Sequence, residues 1–385
     1  MTALETYWYG RKSMVRSWKK YFFVGLGLAT LAYFIYKSRN SITLAGFSWK
    51  EVGVSLREAN PGLLLGAFGI IYLCYAVRTL RWMRFSRWIG QSKFGSVYSS
   101  TLMGFSCVFL LGRAGEPIRP VLIAQKDSLP VSGMFGVYIL ERIFDMGATA
   151  MLAGFGLLFF RHASLDTPES ARLLGLARTA GAGLLIGFAV AICFLVYFRY
   201  HGGEWLSRRL KEPAWKQGWR HRLAALLEGF SDGLRGIRTW GDLSAVVGYS
   251  ALHWFGVAIC YFMALRAFGG DFSRLGFLAC VVVLAFTLVG SALQLPAVGG
   301  GAQAATFVVL TLFLGVAKGP AAVAAIVTWI VSFASCSFVG IPLLLREGWS
   351  MGELRRMAAA EEKAAEAAEA AAWEGSSAGK GDAAP

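Results

Sequence analysis

Long apolar stretches without charge recur along the chain and constrain what it can fold into. Hydrophobic residues make up 56% of the sequence and charged residues only 16%, against about 25% charged in ordinary globular domains. A run of about 18 or more such residues spans the hydrocarbon core of a membrane as a helix. A soluble helical protein would need more charge on its exposed faces. We therefore predict an all-α polytopic membrane protein with six full spans, at about 21–37, 62–77, 131–160, 180–200, 243–268 and 320–345.

Two further apolar regions are interrupted by residues that break helices. The first, 94–128, contains Gly112, Gly115, Pro117 and Pro120, and the second, 274–317, is interrupted at Leu295–Gly301. Irregular backbone at membrane depth is tolerated only where it is buried in protein or lines a cavity. Both regions are predicted to be broken or re-entrant hairpins, and for the second, two full spans remain an alternative.

Basic residues predict the orientation of the chain. The formal net charge is +15, and Lys and Arg are most frequent in 1–20, 78–93, 201–242 and 346–385. Basic segments favour the cytoplasmic side of a membrane. We therefore predict a protein of the cell inner membrane with both termini in the cytoplasm. This arrangement requires 94–128 to enter and leave on the same side. The halves 21–160 and 180–345 then form an inverted-topology repeat, a pattern typical of secondary transporters.

The segments outside the spans, and the residues that suggest a nucleic-acid or metal site, are interpreted next. Residues 1–20 form a basic cytoplasmic N-terminus, and 346–385 form an Ala/Glu-rich cytoplasmic tail with a disordered end. The basic and aromatic stretch Arg78–Trp88 indicates a membrane-interface anchor rather than a nucleic-acid surface. The six cysteines lie singly in apolar runs, so we expect small buried side chains. We predict no metal site and no cofactor.

The first candidate site lies in the broken segment Gly112–Pro120. Arg113, Glu116 and Arg119 stand among helix breakers, with Gly115 between them. A broken helix can present guanidinium groups and free backbone N–H groups to an anion, and arginine binds phosphate or carboxylate in a bidentate manner. The alternative is an ordinary polar loop.

The second candidate site lies within a predicted span. Glu141, Arg142 and Asp145 would sit deep in the membrane, where each ionisable group costs about 2.5–3.5 kcal/mol, so they should face a cavity or pair internally. Glu141 and Asp145 are four residues apart and share one helix face. Arg81, Arg113, Arg119 and Arg142 are their candidate partners. An ion network that stabilises the fold and a role in binding substrate or coupling protons both remain open.

Two weaker signals complete the candidate residues. Gly299, Gly300 and Gly301 would open an apolar helix and expose N–H groups at its positive end, although a flexible turn or close helix packing explains them equally well. His253 lies in a predicted span, where it favours a hydrogen bond between helices over a ligand role.

In combination, several of these motifs resemble one known family. Arg81-Trp82, Gly115-Glu116 with Arg119-Pro120, Glu141-Arg142 with Asp145, and Pro296 with Gly299–Gly301 resemble the lysylphosphatidylglycerol synthase transmembrane family, also called flippase-like. The resemblance covers about 20–345 and implies a bundle that moves lipids or lipid-linked sugars between leaflets. In bifunctional members this bundle precedes a domain that transfers an aminoacyl group from tRNA to phosphatidylglycerol, for which this sequence shows no segment. Many relatives carry an acidic residue where this chain has Ala302-Gln303.

Three functions follow as hypotheses. The first is a translocase for an anionic or phosphate-containing membrane lipid, with Arg81, Arg113 and Arg119 on the headgroup and Glu141 and Asp145 balancing them. The second is a membrane glycosyltransferase or lipid-modifying enzyme, with Glu116 as the candidate base. The third is a non-catalytic scaffold in cell-envelope synthesis. A second copy of the chain and other envelope-synthesis proteins are the protein partners left open.

Overall fold

The computed structural model describes residues 49–159, 239–291, 293–297, 299–350 and 352–357, with isolated positions between 175 and 190. The predicted N-terminus 1–20, the first span at 21–37, most of the span at 180–200 and the end of the tail lie outside the described residues.

The first half is a series of helices broken once by glycine and proline. It comprises α1 (Trp49–Glu58), α2 (Pro61–Ser86), α3 (Phe94–Leu111), α4 (Ile118–Asp127) and α5 (Val131–Phe159). The Asn60 side chain accepts a hydrogen bond from the Leu63 N–H and Pro61 follows it, a favourable start for a helix. A 3₁₀ turn, Gly112–Gly115, separates α3 from α4.

The second half has the same order of long helix, interrupted pair and long helix. It comprises α6 (Trp240–Arg266), α7 (Phe277–Gly290), the strands β1 (Gln294–Leu295) and β2 (Gly299–Gly300), α8 (Gly301–Val308), α9 (Lys318–Trp329) and α10 (Cys336–Arg346). The strands pair antiparallel. π-helical turns at Val309–Phe313 and Ile330–Ala334 continue α8 and join α9 to α10.

Five helical segments among the described residues are long and apolar enough to cross a membrane. They are Pro61–Ser86, Phe94–Gly115, Gly133–Phe159, Trp240–Arg266 and Lys318–Arg346. The prediction of an all-α polytopic membrane protein is confirmed, the two-residue strands being a local feature of one hairpin.

The first broken region folds back on itself as predicted. Arg119 on α4 packs against Gly104 on α3, and the Lys126 ammonium donates to the Ser99 hydroxyl at 2.8 Å. Gly112, in a left-handed conformation at φ 68°, ends α3. Pro117 precedes the first residue of α4. The result is an antiparallel helical hairpin.

The second broken region forms a comparable hairpin. The Thr287 and Thr306 hydroxyl groups lie 2.6 Å apart, and Gly290 packs against Gly301. Helix α7 has 14 residues, which at 1.5 Å rise spans about 21 Å, less than the roughly 30 Å hydrocarbon core. The other arm, Gly301–Phe313, is also a short apolar helix. Two short arms favour a re-entrant hairpin over two full spans.

The two halves exchange packing partners. Helix α10 of the second half packs on α3 of the first, while α5 of the first half packs on α7 of the second. Gly340 and Gly156 permit these approaches, since a Cβ at either position would crowd Leu102 or Val281. Helices α2 and α6 form the most extensive helix contact between the halves. Each half thus packs a long helix against the interrupted pair of the other half.

Two predicted boundaries are corrected. Helix α2 extends to Ser86, beyond the predicted end at 77, so the interface-anchor interpretation is wrong for Arg78 and Arg81, which are buried. The bundle also extends past residue 345, because Leu354 and Met357 pack against Ile118 and Leu122 of the first hairpin.

Candidate functional site

Three helices of the first half bring five ionisable side chains together. Helix α5 presents Glu141 and Asp145, one turn apart on one face as predicted, and α2 presents Arg78 and Arg81. Arg119 comes from the first turn of α4, where Pro120 is tolerated because first-turn N–H groups have no partner within the helix. We call these five residues the charge cluster.

The carboxylates bridge the arginines in a continuous network. Glu141 accepts hydrogen bonds from Arg119, and its Oε1 lies 2.7 Å from Arg78 Nε and 3.1 Å from Arg81 Nη2. Asp145 pairs with Arg78, and its Oδ1 lies 2.6 Å from Arg81 Nη2. Every cluster member therefore contacts at least one group of opposite charge.

The charge cluster is buried and unbalanced. Glu141 and Arg81 are 0% exposed and the other members at most 6%. Three guanidinium groups face two carboxylates, which leaves one positive charge in excess among the described residues. Burying an uncompensated charge is costly. The cluster therefore favours an additional anion.

The position of Arg119 depends on the Trp82 ring and on the absence of a side chain at Gly104. Its guanidinium lies 4.6 Å from the centre of the Trp82 ring, a cation–π geometry. A Cβ on Gly104 would lie 2.5 Å from the Arg119 Cβ and 3.1 Å from its Cα. Gly104 thus allows α4 to approach α3 closely enough for Arg119 to reach Glu141.

Helix α6 of the second half closes the charge cluster with neutral polar groups. The Ser250 hydroxyl accepts from Arg81 Nη1 at 2.9 Å. His253 Nε2 lies 3.4 Å from Arg78 Nη1, and its Nδ1 lies 3.1 Å from the Cys74 carbonyl oxygen. Because arginine only donates, we assign Nε2 as the acceptor and Nδ1 as the protonated nitrogen. The prediction that His253 forms a hydrogen bond between helices is confirmed.

Glu116 and Arg142 form a separate pair beside the charge cluster. Their closest atoms are 3.2 Å apart, and the Tyr138 hydroxyl donates to Glu116 at 2.6 Å. A small cavity of about 10 Å³ lies between this pair and Arg119, about the volume that one water molecule requires. In the described part of the chain the charge cluster is thus closed, because its members are buried and the cavity beside them is too small for a lipid headgroup.

The remaining predicted site residues lie around the tips of the two hairpins. Arg113 is exposed and donates from Nη2 to the Ser291 carbonyl oxygen at 3.3 Å, away from the charge cluster. Gly115 packs against the backbone of Cys107. Gly299 lies in β2, Gly300 has φ 85°, and Gly301 begins α8, donating its N–H to the Leu293 carbonyl at 3.0 Å. Close packing thus accounts for part of this glycine motif.

Three contributors to the site were not predicted from the sequence. The interface-anchor prediction is wrong for Arg78, whose spacing of three residues from Arg81 places both on one helix face. Ser250 and the stacking role of Trp82 carry no local sequence signal. Within the described ranges, no group of three or more His, Cys, Asp or Glu side chains could hold a metal ion.

The fold and the charge cluster together define a polytopic membrane protein with an ionic site buried between helices of both halves. Residues 22–340 match the family described as "Lysylphosphatidylglycerol synthase TM region", and the chain belongs to this family.

A curated relative supports the same assignment. The chain is similar to a "UPF0104 membrane protein" of Methanothermobacter thermautotrophicus (strain Delta H), with 26% identity over 317 residues, 79% of this chain and 90% of the relative. No solved structure matches the chain significantly.

Proposed function

We propose that the protein is a lipid or lipid-linked glycan translocase that moves an anionic-headgroup lipid between bilayer leaflets. The observation that carries this proposal is the excess positive charge of the buried charge cluster, where three arginines face two carboxylates. A phosphate group supplies the missing negative charge and accepts bidentate hydrogen bonds from guanidinium groups.

Arg119 is the residue best placed to follow a moving headgroup. It sits on α4, a helix of 10 residues in the first helical hairpin, whereas Arg78 and Arg81 sit on the long helix α2. Opening of the hairpin would break the Arg119–Glu141 pair and expose both groups. The headgroup would then replace the carboxylate on Arg119, while the acyl chains remain in lipid. Glu141 and Asp145 balance the arginines and are the candidate groups for a coupling proton.

A translocase of this kind would act in the cell inner membrane with both termini in the cytoplasm, as the basic segments favour.

The tips of the hairpins contact each other through Arg113 and Ser291, so opening one hairpin would disturb the other. Arg113 and Gly299–Gly301 would then line the route rather than the central site.

Leaflet exchange in liposomes tests this function. The purified protein is reconstituted, and the exchange of labelled phosphatidylglycerol, polyprenyl phosphate and phosphatidylcholine is measured beside protein-free liposomes. We expect faster exchange of one or both anionic lipids than of zwitterionic phosphatidylcholine. Absence of exchange for every lipid, from folded protein, would contradict the translocase and favour a lipid-modifying enzyme or a scaffold.

A further inference from the structure

A second basic site lies on the surface, at the C-terminal end of α2. A cleft of about 390 Å³ opens there, within the range of 300–1,000 Å³ typical of ligand sites. Its lining combines two arginines with polar and apolar side chains from α2, the following loop and α6. These include Arg84, Arg87, Leu80, Met83, Ser92 and Tyr249.

The charge of this cleft is unbalanced. Arg84 Nη2 and Arg87 Nη1 lie 2.7 Å and 3.4 Å from the same Asp242 oxygen, Oδ1. The other oxygen, Oδ2, accepts from the Thr239 backbone N–H at 3.2 Å and from its hydroxyl at 2.9 Å. One carboxylate therefore pairs with two guanidinium groups and caps a helix as well. Among the described residues, this leaves one positive charge in excess at the cleft.

Donor groups remain available beside Asp242. The Arg84 side chain is 33% exposed, although its Nε, which has no hydrogen-bond partner in the described part of the chain, is itself buried. The Arg87 side chain is 49% exposed and shares its only ion-pair partner there with Arg84. Such a pair of arginines suits an anion with several oxygen atoms, because each guanidinium can donate to a different oxygen.

The surroundings of the cleft are apolar and exposed. Leu80, which lines the cleft, is 40% exposed, and Trp88, next to Arg87 in the sequence, is 43% exposed. The Arg87 guanidinium lies 4.9 Å from the centre of the Trp88 ring, an arrangement common where a helix leaves the hydrocarbon core. A ligand held by both arginines would thus have its charge in the cleft and acyl chains along these side chains.

We propose that the Arg84–Arg87 cleft binds the phosphate headgroup of an anionic membrane lipid. The cleft is distinct from the charge cluster, because Arg81 points inward to Ser250 while Arg84, one turn further along α2, points to the surface. Binding here does not depend on translocation, so it can be tested without a transport assay. A lipid is favoured over free phosphate because only a lipid also covers the exposed apolar side chains.

Lipid retention by the full chain in detergent tests the proposal. Native mass spectrometry counts the phosphatidylglycerol molecules that remain bound during titration, with phosphatidylcholine and inorganic phosphate as separate arms. The variants are Arg87→Gln, which leaves the closer Arg84–Asp242 pair intact, and the double variant Arg84→Gln/Arg87→Gln. Arg274→Gln, an exposed arginine beyond the opposite end of α6, is the matched control.

We expect the wild type and the control to retain one more phosphatidylglycerol than the double variant. Arg87→Gln should bind this molecule about tenfold more weakly, since a hydrogen bond to a charged group contributes roughly that factor. Equal retention by the wild type and Arg87→Gln would overturn the site. Displacement of the lipid by inorganic phosphate at similar concentration, or equal retention of phosphatidylcholine, would overturn the assignment to an anionic lipid.

Discussion

The backbone N–H of Ala297 donates to the carbonyl oxygen of Phe109 at 2.6 Å. This bond joins the turn of the second hairpin to the last helical turn of α3 in the first. Arg113 reinforces it by donating to Ser291 at 3.3 Å. Two hydrogen bonds therefore join the two broken regions directly.

Substitutions at Ala297 test this connection. Ala297 has φ 58°, a left-handed conformation that costs an L-residue with a Cβ about 1–2 kcal/mol. Ala297→Gly keeps the N–H and relieves this cost, so the Tm should stay the same or rise. Ala297→Pro cannot adopt this φ and removes the donor, so the Tm should fall. Equal melting temperatures for the two variants would show that the bond to Phe109 contributes nothing.

Gly104 should control the position of Arg119. Gly104→Ala places a Cβ 2.5 Å from Arg119 Cβ and 3.1 Å from its Cα, so α4 must shift, at a cost of about 1–3 kcal/mol for overpacking. Gly95→Ala on the same helix meets nothing within 4 Å and should stabilise α3 slightly, because alanine is the better helix former. Thermal unfolding in detergent measures both. A Gly104→Ala variant as stable as Gly95→Ala would contradict the close approach.

The excess charge of the cluster predicts an asymmetry between its members. In Arg119→Gln, the cluster keeps two arginines and two carboxylates and is balanced. In Glu141→Gln, three arginines face a single carboxylate. Removing one partner of a buried pair typically costs about 3–5 kcal/mol. We expect Glu141→Gln to lower the free energy of unfolding by an amount at the upper end of this range, and Arg119→Gln to lower it clearly less. The reverse order of melting temperatures would argue against a net positive cluster.

His253 should contribute through two hydrogen bonds rather than through charge. His253→Leu leaves Arg78 Nη1 and the Cys74 carbonyl without their imidazole partner, which should cost about 1–3 kcal/mol. His253→Gln supplies both a donor and an acceptor and should retain much of the stability. Thermal unfolding of the two variants provides the measurement, and equal losses would mean that packing alone explains the position.

Much of this arrangement was predictable because membranes penalise exposed polar groups. The apolar runs revealed the long helices, and the glycines and prolines around Gly112–Pro120 revealed the hairpin. The cost of burying Glu141 and Asp145 made a pairing with Arg81 and Arg119 the natural expectation. The structure places all four in contact.

What the sequence did not reveal depends on contacts between distant segments. Arg78 was misplaced because the apolar window ended at residue 77, whereas α2 continues to Ser86. Asp242 is more than 150 residues from Arg84 and Arg87, and nothing local to either segment identifies the pairing. Arg113 was grouped with Arg119 because both lie in one motif, but the 3₁₀ turn at Gly112–Gly115 directs Arg113 to the other hairpin.

The most direct test of the central claim compares leaflet exchange of phosphatidylglycerol and polyprenyl phosphate by the wild type, Arg119→Gln and the control Arg274→Gln. All three must first show cooperative thermal unfolding, so that transport is compared among folded proteins. We expect Arg119→Gln, with a balanced cluster, to lose exchange and Arg274→Gln to retain it. Exchange at the wild-type rate by Arg119→Gln would show that the buried excess charge does not bind the transported lipid.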